Sequence, residues 1–195
     1  MYNLSFKIIT HLEKRGLLQD EDREIIAYGL FSFIFNAYCL VLCIIIGLLL
    51  SIAVESAVFF CSFLFIRRYA GGYHAKKEWM CLILSTLGIF LSLLTVHYTK
   101  HYVWLKTICI ILSLISGIWI CLFSSLEAEN KPLSQDEKRK YKNFSIIRVS
   151  IAIITIILFA GLKIYLVSAP ITSALIYEGV LIIGGCLHMS RNNFN

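Results

Sequence analysis

The sequence predicts an all-α, polytopic membrane helical bundle, and composition and residue pattern agree on it. Hydrophobic residues make up 58% of the 195 residues and charged residues only 15%, with a mean hydropathy of +0.78. Soluble domains carry roughly 25% charged residues. Between positions 25 and 66 the one charged residue is Glu55. A helical crossing needs about 20 apolar residues, so this run is long enough for two crossings and excludes a soluble protein.

About six apolar segments follow one another along the chain. They cover residues 25–50, 53–66, 79–96, 103–123, 146–167 and 171–189. The second segment is short for a crossing unless it begins near Ser51. Two arrangements therefore stay open: six full spans, or four full spans with the other segments re-entrant.

The rest of the chain predicts a single domain. Residues 1–24 combine helically spaced apolar residues with basic ones, which favours a cytoplasmic, interfacial N-terminal helix. These residues are too polar to be a secretory signal peptide. With two prolines and no glycine- or serine-rich linker, residues 1–195 are expected to form one integral membrane domain.

The basic residues predict the orientation of the chain. If the N-terminus is cytoplasmic and six spans alternate, the C-terminus is cytoplasmic too. Fifteen Lys and Arg residues then lie inside, and only Lys100, Lys106 and Lys163 lie outside. This is a strong positive-inside bias. It accounts for the net charge of +6 without a nucleic-acid partner, and anionic lipid is the expected surface partner.

Two further features are polar. The polar loop at residues 126–143 contains Ser134-x-x-Glu137, a capping box that predicts a brief cytosolic helix. Glu178 is an acid inside an apolar segment, where such residues are functional candidates. It is expected to lie near a membrane boundary or to pair with Lys163. Glu55 is expected to mark the turn between the first two segments.

The stretch RRYAGGYHAKKEWMC, residues 67–81, carries the candidate site. A cysteine nucleophile needs a base or an electropositive setting. Cys81 has both nearby, because His74 precedes it by seven residues and four basic residues surround the pair. A straight helix would hold His74 and Cys81 about 10.5 Å apart along its axis. Either the chain folds back at Gly71 and Gly72, or the helix begins after His74.

The other six cysteines fall inside apolar runs, where a free cysteine packs as a small hydrophobic residue. Two ligands are too few for a zinc site, so no metal and no cofactor are expected. On spacing alone, a catalytic pair and a chance meeting of a cysteine and a histidine both stay open.

The motif RRYAGGYHA, with Cys81 seven residues after its histidine, resembles the signature of the accessory gene regulator protein B family. These proteins are membrane cysteine endopeptidases of bacterial quorum sensing. The resemblance covers essentially the whole chain, because the length, the apolar segments and the basic later loop also agree. The arginine, paired-glycine and His-x6-Cys part is the specific portion.

The resemblance implies a function for each part of the motif. Cys81 is the nucleophile and His74 is the general base. The substrate is a precursor peptide of the accessory gene regulator D type, cut before its acidic C-terminal tail and cyclised to a thiolactone or lactone. Arg67 and Arg68 suit the acidic tail by charge, and Gly71 and Gly72 suit a turn that peptide substrate can approach. The enzyme is then a multi-pass protein of the bacterial cytoplasmic membrane with its catalytic loop on the cytoplasmic side.

Two other function classes remain open at this stage. One is a non-enzymatic membrane transporter or scaffold whose basic loop anchors to lipid, and the other is a small metal-binding membrane protein. A homodimer is expected from the general frequency of two-fold assemblies.

Overall fold

A computed structural model of the protein describes residues 23–71, 78–124 and 135–192. Within these ranges the fold is all-α, and no strand occurs. Six helices follow in order: α1 (Arg23–Leu49), α2 (Ala53–Ala70), α3 (Glu78–Thr99), α4 (Val103–Phe123), α5 (Gln135–Gly161) and α6 (Tyr165–Asn192). The predicted helical bundle is confirmed.

Five of these helices are long and apolar enough to cross a membrane: α1, α3, α4, α5 and α6. The chain is accordingly a multi-pass membrane protein. Large apolar side chains lie on the outer surface, and Leu49, Phe33 and Val103 are among the most exposed. In a bundle surrounded by lipid, these side chains contact acyl chains rather than water.

Helix α2 is the shortest of the six described helices, and three charged residues lie within its length. Its 18 residues extend for about 27 Å, close to the roughly 30 Å hydrocarbon core of a bilayer. Glu55, Arg67 and Arg68 lower its apolar character. Its buried face is mostly aromatic and aliphatic, with Phe59, Phe63 and Ile66 in the interior.

Short connections fix how the helices alternate. Residues 50–52, 100–102 and 162–164 join α1 to α2, α3 to α4 and α5 to α6. Such short links make the joined helices antiparallel neighbours, so all three lie at one end of the bundle, here named the turn end. Ser51 and Lys163 have positive φ angles of 55° and 58° in these turns. The opposite end, where α2 ends and α3 begins, is named the motif end.

Helix α6 is the centre of the bundle. It packs against α2, α3, α4 and α5, and most of its span is buried. On one side Tyr177 lies with Phe59 and Phe63 of α2, and its ring fills the space beside Gly88 of α3. A β-carbon at Gly88 would lie 2.2 Å from that ring. Small residues thus let the helices approach closely, as is usual between membrane helices.

Two boundaries differ from the sequence prediction. The apolar run at residues 146–167 continues past the true end of α5, because the chain turns at residues 162–164, where Lys163 adopts a positive φ. Helix α6 therefore begins at Tyr165 and contains Pro170 in its second turn. Hydropathy does not reveal this turn, because both of its flanks are apolar.

The capping box at Ser134 predicted a brief helix, and a helix does begin at Gln135, but it is not brief. Helix α5 runs without interruption from Gln135 to Gly161, so the polar turns and the apolar span form one helix. The proposed capping residue Ser134 and residues 1–22, the predicted interfacial helix, lie outside the described residues.

Candidate functional site

Cys81 lies at the motif end, three residues after the first residue of α3. Its side chain is partly exposed, whereas Cys39, Cys43 and Cys109 are buried within the bundle. Cys81 and Arg67 are both electrostatic neighbours of Cys39 on α1. The thiol of Cys81 thus lies on α3 near Cys39 of α1 and Arg67 of α2, and it is partly exposed.

Gly71 ends α2 in a backbone conformation that suits glycine. Its dihedral angles are φ 79° and ψ −152°, and its N–H donates a hydrogen bond to the carbonyl oxygen of Arg67 at 3.3 Å. A side chain at this φ and ψ would be strained, because this region is essentially restricted to glycine. The first glycine of the motif therefore forms a turn, which redirects the chain from α2 into the segment that carries His74.

Arg67 is paired inside the bundle. Its Nη1 lies 3.4 Å from Oε2 of Glu178 on α6, and the Glu178 side chain is fully buried. The guanidinium also lies 5.5 Å from the ring centre of Phe63. This arginine is therefore not a free positive charge at the surface, since a carboxylate of the chain already occupies it.

Arg68 is the more accessible of the two arginines. Its side chain is exposed, and its guanidinium lies 5.9 Å from the ring centre of Tyr69. Within the described ranges no carboxylate pairs with Arg68, so its charge is the more accessible of the two at the motif end. The structure thus gives two adjacent arginines of the motif different surroundings.

Arg148 of α5 holds the last turns of α2. Its Nη1 donates a hydrogen bond to the carbonyl oxygen of Phe65, and its guanidinium lies 4.1 Å from the ring centre of Tyr69 and 4.5 Å from that of Phe65. The rings of Tyr141 and Phe144 also pack on Tyr69. The end of α2 is consequently fixed by α5 on one side and by α6 on the other.

Several predicted site features lie outside the described residues. His74 and Gly72 are among them, and so is the fold-back that would bring His74 to Cys81. Among the residues that the structure does describe, no group of three His, Cys, Asp or Glu residues could hold a metal ion. The candidate site rests on Arg67, Arg68, Gly71 and Cys81 as placed, with His74 as a prediction.

The partner of Glu178 was not the one that the sequence led us to expect. Lys163 lies 15 positions earlier at the turn end, about 22 Å away along the helix axis. Arg67 instead lies at the same depth, since it is about 21 Å from the start of α2 and Glu178 is about 20 Å from the start of α6. This match in depth depends on the turn at residues 162–164, which hydropathy does not reveal, so the sequence alone did not indicate the pairing.

Glu55 is likewise paired. It lies in the first turn of α2, as expected from its position between the first two segments, and its Oε1 lies 2.5 Å from Nζ of Lys100. This ion pair joins α2 to the end of α3 at the turn end. The two acids that the sequence singled out within apolar segments are thus both neutralised by basic residues of other helices.

Comparison with known proteins gives a consistent result. The family model described as Accessory gene regulator B matches residues 5–186. An AgrB-like protein of Clostridium perfringens (strain SM101 / Type A) is 30% identical over 165 residues, which cover 80% of this chain and 73% of the relative. Accessory gene regulator protein B of Staphylococcus aureus (strain MW2) is 30% identical over 151 residues, covering 77% and 78%.

An AgrB-like protein of Lactiplantibacillus plantarum (strain ATCC BAA-793 / NCIMB 8826 / WCFS1) matches over a longer stretch. It is 27% identical over 183 residues, which cover 93% of this chain and 86% of the relative. No solved structure matches the chain. The family match covers five of the six helices completely and most of α6, and it includes the whole of the motif at residues 67–81. The chain therefore belongs to the accessory gene regulator B family.

Proposed function

We propose that this protein is a membrane-embedded cysteine endopeptidase that cuts a quorum-sensing precursor peptide and promotes its cyclisation. The observation that carries the proposal is the position of Cys81. The Cys81 thiol is partly exposed at the motif end, and Cys81 follows residues 67–75, the stretch that resembles the family signature. Family membership supports a role in the accessory gene regulator system.

Cys81 is the nucleophile in this proposal, and His74 is the general base. The Cys81 thiol transfers its proton to His74, and the thiolate attacks the scissile carbonyl carbon of the precursor. The carbon–nitrogen bond then breaks, and the acidic tail leaves as an amine that takes the proton from His74. The remainder of the precursor is now held as a thioester on the sulfur of Cys81.

Cyclisation follows from attack by the precursor's own cysteine. Its sulfur forms a new bond to the thioester carbon, the bond to Cys81 breaks, and the proton of the incoming thiol returns to Cys81. The product is a thiolactone ring, or a lactone where a serine attacks. Exchange between two thioesters conserves the energy of the bond, whereas hydrolysis would lose it. A site that holds the peptide thiol close and limits water therefore favours the ring.

The rest of the motif and the membrane complete the proposal. The exposed positive charge of Arg68 suits the acidic tail, because guanidinium groups bind carboxylates well, whereas Arg67 is already paired with Glu178. The turn at Gly71 and Gly72 gives the peptide a close approach to the backbone. The motif end faces the cytoplasm, since fifteen of eighteen basic residues then lie on that side. We propose one domain over residues 1–195 that lies in an anionic cytoplasmic membrane.

Cleavage of a tagged precursor tests the catalytic roles. The protein is co-expressed with a precursor that has an amphipathic N-terminal helix, a cysteine and an acidic tail, with one tag at each end. Cys81→Ala and His74→Ala are expected to reduce cleavage at least about 100-fold, because each removes a group used in the chemical step. Cys61→Ala is the matched control, since Cys61 is an exposed cysteine within α2.

The outcomes separate the function classes. Loss of cleavage in both variants, with normal cleavage by Cys61→Ala, supports the peptidase. Equal cleavage by all three variants would exclude Cys81 and His74 as the catalytic pair. In that case a non-enzymatic transporter or scaffold becomes the better explanation of the fold.

A further inference from the structure

We propose that Glu178 is a positioning residue of the active site, which holds Arg67 inside the bundle so that the end of α2 is correctly placed for catalysis. This inference rests on the proposed function, and it assigns a role to a residue outside the sequence motif. It also gives the two arginines of the motif different roles, because Arg67 then positions the end of α2 and Arg68 binds the substrate.

The burial of Glu178 is the first observation. Its side chain has no exposure, and Oε1 has no hydrogen-bond partner among the described residues. A charged side chain inside a membrane bundle is costly, and such residues usually pair with one another and have a function. The only ion pair recorded for Glu178 in the described part of the chain joins it to Arg67. Without Arg67, its carboxylate would be buried and unpaired.

The geometry around Arg67 is the second observation. Its guanidinium is bounded by Glu178 of α6 and by the ring of Phe63, and only 20% of its side chain is exposed. An acidic peptide would have to displace a carboxylate that is already in place. Arg68, the next residue, is exposed, and the contact that it makes among the described residues is a distant one with Tyr69. Arg68 is therefore the better partner for an acidic tail.

The position of the pair explains why it matters for catalysis. Arg67 lies four residues before Gly71, and its carbonyl oxygen accepts the hydrogen bond from the Gly71 N–H. A displacement of Arg67 is therefore expected to displace Gly71 as well, and the segment that carries His74 follows directly after Gly71. Cys81 and Arg67 also both act electrostatically on Cys39 of α1, so the ion pair and the thiol lie on the same side of the bundle near that residue. Loss of the anchor is expected to misplace the catalytic groups without removing them.

Steady-state kinetics of the purified full-length protein in lipid vesicles, with the tagged precursor as substrate, can distinguish the two roles. Glu178→Gln is expected to lower kcat about 10- to 100-fold with little change in KM, since small misplacements of reacting groups have effects of this size. Arg68→Gln is expected to raise KM about two- to fivefold with little change in kcat, as for one exposed charge contact. Thr172→Val is the matched control, because Thr172 is buried in α6 and its hydroxyl donates to the carbonyl oxygen of Ser168 in its own helix.

A second precursor, whose tail acids are replaced by amides, sharpens the comparison. The KM defect of Arg68→Gln should disappear with this neutral tail, because the charge that it complements is gone. The kcat defect of Glu178→Gln should persist, because it does not involve the tail. If instead the Glu178→Gln defect disappears with the neutral tail, Glu178 acts on the substrate and the proposal is wrong.

A double variant that combines Arg67→Gln with Glu178→Gln, and so removes both charges, provides the decisive test. Removing only Arg67 leaves a buried unpaired charge, whereas removing both leaves none. The double variant is therefore expected to be more active than Arg67→Gln alone. If either single variant fails to fold, the double variant is expected to accumulate better in membranes. Equal or greater damage in the double variant would overturn the proposal. Cys81→Ser is assayed alongside, and residual cleavage by that variant would overturn the proposed function instead.

Discussion

Gly71 shows how one residue type determines local structure at the site. Helix α2 ends there because φ 79° and ψ −152° turn the chain away from the helix axis. The last ordinary hydrogen bond of the helix, from the Gly71 N–H to Arg67, is kept. The residue thus combines a normal helix end with an abrupt change of direction. Other residue types reach this backbone conformation only with strain.

The substitution Gly71→Ala tests this explanation. It is expected to destabilise the protein by about 1–3 kcal/mol, because alanine is strained at this φ and ψ. The measurement is denaturant unfolding in detergent micelles. Gly29→Ala is the control, since Gly29 lies in α1 with nothing within 4 Å of an added β-carbon. It should be neutral or stabilising, by up to about 1 kcal/mol. Equal effects from both variants would contradict a special role for Gly71.

The sequence was sufficient to locate the motif but not to assign each of its residues a contact. Arg67 and Arg68 are chemically identical and adjacent, and nothing local tells which of them faces the bundle. The helix rotation decides it, and that rotation depends on how α2 packs against α6. The partner, Glu178, is 111 residues away along the chain. The two residues lie at a matching depth only when α6 begins at Tyr165, and the sequence prediction placed that start at residue 171.

At the scale of elements, the end of α2 is held from two sides. Helix α6 contributes the ion pair of Glu178 with Arg67. Helix α5 contributes Arg148, which bonds to the carbonyl oxygen of Phe65 and stacks on Tyr69. A planar guanidinium can do both at once, whereas an ammonium group cannot stack in the same way. The last turns of α2 are therefore fixed by two neighbouring helices acting together.

Arg148→Lys tests the contribution of α5, because it keeps the positive charge and removes the planar group. The change is expected to cost about 1–2 kcal/mol from the lost stacking and hydrogen bond. Amides at residues 65–70 should then exchange with deuterium about 5- to 30-fold faster, as measured by mass spectrometry in lipid nanodiscs. The control is Arg139→Lys, an exposed arginine of the same helix. Unchanged exchange in Arg148→Lys would show that α6 alone holds this end.

The sequence predicted helices well where polar residues bound them and poorly where they did not. The fourth apolar segment, residues 103–123, has the same limits as α4, because polar residues flank it. The turn between α5 and α6 was misplaced, since Leu162 and Ile164 make it as apolar as the helices around it. Long helices are read from hydropathy, while a three-residue turn within an apolar run depends on backbone angles that hydropathy does not contain.

At the scale of the whole molecule, α2 decides how often the chain crosses the membrane. Its composition alone does not mark it as a span. The bundle neutralises two of its charged residues, since Glu55 pairs with Lys100 and Arg67 pairs with Glu178. Neighbouring helices also cover much of its surface, so lipid meets less of it. A helix of about 27 Å that is covered in this way is long enough to cross. We therefore predict six crossings, with both termini on one side.

Labelling of introduced cysteines tests six crossings and the orientation together. Ser51 and His101 are exposed at the turn end, and Lys140 is exposed near the start of α5. In intact cells, a membrane-impermeant maleimide should modify Ser51→Cys and His101→Cys, while Lys140→Cys should react only after lysis. The unsubstituted protein measures the background from native cysteines. Labelling of His101→Cys without Ser51→Cys would make α1 and α2 a re-entrant pair, and labelling of Lys140→Cys in intact cells would reverse the orientation.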